Sequence, residues 1–173
     1  MERFVIAVLV KNHAGVLTRV SSMFTRRGFN IDSLTVGETE SAEFSRITIA
    51  FDGDEGMKDQ VVKQLAKLHD VVEVKVLNRP DSISRELLLI KVANSPETRE
   101  EILAAVSVFR SKVIDYSKDA LCCLITGEST KIEAFIDLLK PFGILEMCRT
   151  GVVALERGSS CLRRAVADDN AAN

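Results

Sequence analysis

The residues best placed to do chemistry are Asn12, His13, Ala14 and Gly15, just before a helix that starts at Val16, followed about one helix length later by Asn30. The first group reads as the loop leading into a helix start. Backbone amides there lack intrahelical partners and attract a carboxylate or a phosphate. Gly15 lets a ligand approach the backbone with no side chain in the way. Asn12 can offer its amide to a carboxylate or its carbonyl to an ammonium group. The same residues also suit a plain turn and cap, the more frequent role for their types. Asn30 carries the same two readings, since it closes the Gly28-Phe29-Asn30 turn. No Gly-x-Gly-x-x-Gly or Gly-x-x-x-x-Gly-Lys run occurs, so a nucleotide phosphate loop is not supported.

The helix between these groups, read as Val16 to Arg27, is about 18 Å long at 1.5 Å per residue. One protomer therefore cannot bring Asn12 and Asn30 onto one small ligand. If the strand after Asn30 lies at a sheet edge and pairs antiparallel with its copy across a two-fold axis, the two ends meet. The expectation is two equivalent sites in a homodimer, each with Asn12 and Gly15 from one chain and Asn30 from the other.

Catalytic chemistry finds little support. His13 and His69 have no ligand-like spacing to each other or to the cysteines, and no Cys-x-x-Cys pair exists, so no metal site is expected. Cys122 and Cys123 are neighbours in an apolar run; in a strand they point to opposite faces and read as small buried hydrophobes. Tyr116 is the only tyrosine. Asp52, Asp54 and Glu55 read as loop and helix-cap residues rather than as a paired-carboxylate site. A small enzyme is the least favoured of three readings, behind a sensor that regulates a partner and a free-standing amino-acid sensor.

Apolar residues make up 46% of the 173 and charged residues 28%, the balance of a soluble globular protein. A net charge of −2 gives no electrostatic footprint for nucleic acid. No apolar run approaches the roughly 20 residues of a membrane helix. Phe4 to Val10 is short, ends at Lys11 and lacks a small-residue cleavage site, so it reads as a first strand rather than a signal peptide. A cytoplasmic location is the expectation.

The elements that must position these residues fall into two similar halves. In the first, strand Phe4–Val10 leads to the helix with Val16, Val20, Met23 and Phe24 on one face, stopped by Gly28. Strands Ile31–Val36 and Phe44–Phe51 follow, then a helix with Val61, Val62, Leu65 and Leu68 as its stripe, then Val71–Leu77. The second half repeats the order: strand Arg85–Ala93, a helix start at Asn94-Ser95-Pro96-Glu97, strands Lys112–Tyr116 and Leu121–Thr126, and a helix from Lys131 to Leu139. A last strand runs from Leu145 to Leu155, with an irregularity at Gly151. Two βαββαβ units predict an α+β fold of two tandem ferredoxin-like sandwiches. The boundaries read as 1–78, a linker at 79–83, a second domain at 84–158 and a disordered polar tail at 159–173. Strands such as Phe4–Val10 are apolar on both faces, yet two helices cover only one face of a sheet. A partner subunit, the other domain or another protein is expected to cover the second, which argues for an oligomer.

The run Asn12-x-x-Gly15-Val16-Leu17-x-Arg19-Val20, with Arg26-Arg27-Gly28-Phe29-Asn30-Ile31-Asp32-Ser33-Leu34-Thr35-Val36, closely resembles the regulatory small subunit of acetolactate synthase (acetohydroxyacid synthase). Arg85-Glu86-Leu87 and the run Arg149 to Gly158 resemble that family's second domain. The resemblance implies an N-terminal ACT domain and a non-catalytic chain that carries no cofactor. It would activate a separate catalytic subunit, which holds thiamine diphosphate, Mg and FAD, and confer feedback inhibition by a branched-chain amino acid, usually valine. It places the effector on Asn12, Ala14, Gly15, Val16, Leu17, Asn30 and Ile31. The helix amides at Gly15–Leu17 would take the carboxylate, Asn12 or Asn30 the ammonium, and Val16 with Ile31 the branched side chain. His13 and Ser22-Met23-Phe24 depart from the family's usual residues and leave the effector's identity and strength open.

Overall fold

The computed structural model describes residues 2–162. In chain order they form β1 (Glu2–Lys11), α1 (Val16–Arg26), β2 (Ser33–Glu38), β3 (Phe44–Gly53), α2 (Glu55–Leu65), β4 (Val71–Val76), β5 (Ser82–Ala93), α3 (Arg99–Val108), β6 (Lys112–Tyr116), β7 (Ala120–Gly127), α4 (Ser129–Leu139), β8 (Ile144–Arg149) and β9 (Val153–Glu156). The strands run in the order β2-β3-β1-β4 in one sheet and β6-β7-β5-β8 in the other, with antiparallel pairing along both paths, and β9 also pairs with β5. Each half is thus a βαββαβ ferredoxin-like sandwich, and the fold class is α+β.

Alternation sets the first core. Phe4, Ile6 and Val8 on β1 stand opposite Phe51, Ile49 and Ile47 on β3. All six pack with Val16, Val20, Met23 and Phe24 of α1 and with Val61 and Leu65 of α2. Gly28 adopts φ 67° just past α1, a conformation that an L side chain resists. The Asp54 side chain caps α2 by accepting the Met57 N–H at 2.7 Å. The second core repeats the arrangement with Leu88, Ile90 and Val92 of β5, Leu121, Cys123 and Ile125 of β7, and Ile102, Ile132 and Phe135 of the helices. Cys122 and Cys123 do point to opposite faces, but only Cys123 is buried; Cys122 is half-buried.

The helix start expected at Asn94-Ser95-Pro96-Glu97 lies further on, since α3 begins at Arg99. Asn94 does not cap it: its side chain donates to the Ser117 carbonyl at 2.8 Å and accepts from Arg99 Nε at 3.0 Å.

The expected last strand is two strands. Gly151, at φ 77°, separates β8 from β9. The chain divides into two compact units, one running up to Ile83 and resuming at Val152, the other spanning Ser84–Gly151. Residues 152–158 thus pack with the first unit. The physical reason is the open face of the first sheet. Val5, Ala7, Ala50 and Leu77 pack there against Val152, Ala154 and Leu162. Val152 N–H donates to Ser33 Oγ at 3.1 Å, Arg46 donates to the Ala154 carbonyl at 2.7 Å, and Lys75 Nζ lies 2.7 Å from Glu156 Oε2. The returning segment thus crosses from β2 through β3 to β4. Part of the cover expected from a partner comes from this chain itself. Of the tail read as disordered, residues 159–162 are described and Leu162 is buried; residues 163–173 lie outside the described range.

Candidate functional site

β1 delivers Asn12 to the head of α1, and the β2–β3 hairpin folds back over it. Asn12 N–H donates to the Glu43 carbonyl at 2.7 Å. The Asn12 side-chain amide donates to Glu38 Oε1 at 3.0 Å and to the Ala42 carbonyl at 2.9 Å. Both partners are acceptors, so the NH2 group must face them and Oδ1 is the atom left to offer. Of the two roles open to Asn12, this orientation fits acceptance from a cation.

Gly15 takes φ 87° at the N-cap of α1, and no side chain caps this helix. A Cβ built on Gly15 would meet nothing within 4 Å. The requirement for glycine is therefore backbone conformation, and the space in front of it is open. Val16 N–H reaches the His13 carbonyl at a long 3.4 Å. The helix start thus presents amides and the positive end of its dipole to an unobstructed surface.

Side-chain directions revise one role read from the sequence. Val16 is 4% exposed and lies in the core with Phe24 and Ile49, so only its backbone faces the loop. Leu17, 41% exposed, is the apolar side chain at the loop mouth, beside exposed Ala14. At the far end of α1, Asn30 is exposed and donates to Asp32 Oδ1 at 2.8 Å, while Ile31 packs partly on the core. The structure thus brings Asn12, Ala14, Gly15, Val16 and Leu17 together and leaves Asn30 and Ile31 at the opposite end of the helix.

Sequence reasoning missed Asp70, which sits between α2 and β4. Its side chain is 4% exposed, with His13 Nε2 3.0 Å from Oδ1 and the Arg19 guanidinium on Oδ2. Its carbonyl accepts Lys11 N–H at 2.9 Å. Burial would push this carboxyl up, but the hydrogen bonds and charges of Arg19 and His13 outweigh it and hold Asp70 below the usual carboxylate range. One buried carboxylate thereby grips both flanks of the Asn12–Gly15 loop. A charged residue abutting the apolar run of β4 was the only local hint.

Comparison with known proteins bears on what this loop belongs to. Residues 6–73 match the family described as AHAS small subunit-like ACT domain, and residues 85–158 match the small subunit of acetolactate synthase. A probable acetolactate synthase small subunit from Archaeoglobus fulgidus is 48% identical over 154 residues, covering 89% of this chain and 96% of the relative. The chain belongs to the acetolactate synthase small-subunit family. The Bacillus subtilis acetolactate synthase small subunit is 46% identical over 157 residues, covering 90% of this chain and 91% of its own length. The crystal structure of the Thermotoga maritima acetolactate synthase small subunit superposes with a TM-score of 0.85 at 40% identity, covering 92% of this chain and 100% of that one. The first unit is therefore an ACT domain. Within this family member no helix among the described residues is long and apolar enough to cross a membrane.

Proposed function

We propose that this chain is the non-catalytic regulatory subunit of acetolactate synthase. It binds the thiamine-diphosphate-dependent catalytic subunit, raises its activity and makes it sensitive to a branched-chain amino acid, with valine the first to test. Membership of the small-subunit family supports the partner. The observation that carries the sensing role is the uncapped start of α1 behind Gly15, next to an asparagine whose carbonyl oxygen is on offer. An α-amino acid presents a carboxylate and an ammonium group, and this loop offers amides for the one and an acceptor for the other.

The complete site forms between two copies of the chain. β2 is an edge strand. Asn12 is fastened to Glu38, the last residue of β2, while Asn30 precedes its first residue, Ser33. Antiparallel pairing of β2 with its copy sets the start of one strand against the end of the other. Asn30 and Ile31 of the partner then join Asn12, Ala14, Gly15, Val16 and Leu17, with the Val16 contribution through its amide. Inhibition is a coupling free energy: the effector and the catalytic subunit each distinguish two states of the dimer, typically by roughly 1–3 kcal/mol.

Calorimetric titration with L-valine, with D-valine, leucine and isoleucine beside it, tests the sensor. Stereospecific binding at about one site per chain is expected, and no heat with any of them, alone or with the catalytic subunit, refutes it. Mixing Asn12→Ala chains with Asn30→Ala chains tests the shared site. Confirmed mixed dimers should regain binding in one of their two sites; if none is regained, each site lies within one chain. A chain that neither co-purifies with the catalytic subunit nor raises its activity overturns the regulatory role.

A further inference from the structure

Asn94 is the counterpart of Asn12. The two sheets share one strand order, with β5 in place of β1 and β6–β7 in place of β2–β3. Asn12 follows β1, and Asn94 follows β5. Asn12 N–H bonds the Glu43 carbonyl of the first hairpin, and Asn94 N–H bonds the Asp119 carbonyl of the second at 3.0 Å. The Asn12 amide donates to the Ala42 carbonyl; the Asn94 amide donates to the Ser117 carbonyl. In both, the NH2 group is turned to the hairpin, which leaves Oδ1 as the atom to offer.

The difference lies in what meets that oxygen. Asn94 Oδ1 accepts from Arg99 Nε at 3.0 Å, and the guanidinium lies 5.7 Å from the centre of the Tyr116 ring. The turn before α3 is also closed from within: Ser95 Oγ accepts Thr98 N–H at 3.3 Å, and the Ser95 carbonyl accepts Arg99 N–H at 3.0 Å. Neither α1 nor α3 has a side-chain cap; in the first unit the Asn12 amide leaves Oδ1 on offer.

We propose that the second unit carries a copy of the effector loop whose acceptor the chain fills itself, with the Arg99 cation on Asn94 Oδ1, so that this loop takes no amino acid. The likeness to the effector loop rests on the reading of Asn12 given above; the filling of the second loop does not. The Arg99 cation takes the place that the ammonium group of an α-amino acid would take in the open loop. It also limits effector binding to about one per chain although the fold is repeated.

Thermal unfolding of Arg99→Ala tests this on the full chain. The variant should melt lower, and millimolar methylguanidinium chloride should raise its midpoint above an equal concentration of NaCl. Neither wild type nor Arg99→Ala/Asn94→Ala should respond. No ion-specific rise in Arg99→Ala, or an equal rise in the double variant, overturns the proposal. Should Arg99→Ala fail to fold, NMR of the wild type decides. The Arg99 Nε–H signal should persist unshifted at saturating L-valine while the Gly15 and Leu17 amides move. Loss of the Arg99 signal on adding valine overturns the proposal. If valine moves neither set, the effector reading of the first loop fails while the filled second loop stands.

Discussion

His13 Nε2 lies 3.0 Å from Asp70 Oδ1, across 57 residues of sequence, and joins the head of α1 to the turn before β4. Arg19, one turn into α1, holds the other oxygen of the same buried carboxylate. The loop that carries Asn12 and Gly15 is thereby fixed from both sides by one side chain. Asp70→Asn keeps the shape and removes the charge, so we expect several-fold weaker effector binding in calorimetry with the fold intact. Unchanged affinity would show that the loop holds its geometry without Asp70.

The same carboxylate predicts a pH dependence. The folded pKa of Asp70 lies below the ordinary value, so its stabilisation is complete above the usual carboxylate range and is lost as pH falls through the depressed folded value. Wild type should therefore unfold at a higher temperature than Asp70→Asn at pH 7. The gap should close in the acid range below about pH 4. A gap that persists unchanged at low pH would assign the effect to packing.

Gly15→Asp should abolish effector binding while leaving activation of the catalytic subunit largely intact, because a carboxylate at the helix start repels the ligand's own. The positive φ adds strain of about 1 kcal/mol for an L residue. Gly15→Asn, which tolerates that conformation and is neutral, separates the two effects: it should bind more tightly than Gly15→Asp at similar stability. Full valine sensitivity in Gly15→Asp would place the effector elsewhere.

Glu86 is almost fully buried and accepts from Arg149 Nε at 2.5 Å, while Arg149 also reaches Glu133 at 2.6 Å. Arg149→Ala removes the charge partner of a buried carboxylate that keeps its hydrogen bond from Ser129, and should cost about 3–5 kcal/mol in denaturant unfolding. Glu86→Leu/Arg149→Leu should cost much less. Equal losses would mean that the pair contributes through packing alone.

Val152, 2% exposed, is the anchor of the returning segment on the first sheet. Val152→Ala should lower stability by about 1.5–3 kcal/mol. A loss near zero would mean that the hydrogen bonds to Ser33 and Arg46 hold the segment without it.

Much of the fold was legible because its signals are local. Phe4, Ile6 and Val8 alternate with period two, Val16, Val20 and Phe24 recur with helical spacing, and Gly28 stops the helix; each follows from neighbours a few residues away. The repeat of that order made two sandwiches readable, and the glycine and asparagines of the loop marked the candidate site. Tertiary structure decided what depends on distant partners. Val152 to Glu156 carries the alternation of any strand, and nothing local shows that it leaves the second unit for the open face of the first sheet. Val16 lies inside and Leu17 at the surface because α1 docks one face on β1 and β3. His13 meets Asp70 only after strand pairing and helix packing have set the backbone. Sequence by itself determined the elements and the chemistry on offer, because propensity and periodicity act over a few residues; the burial and the partner of each group were left to the tertiary structure, because both are set by residues far along the chain.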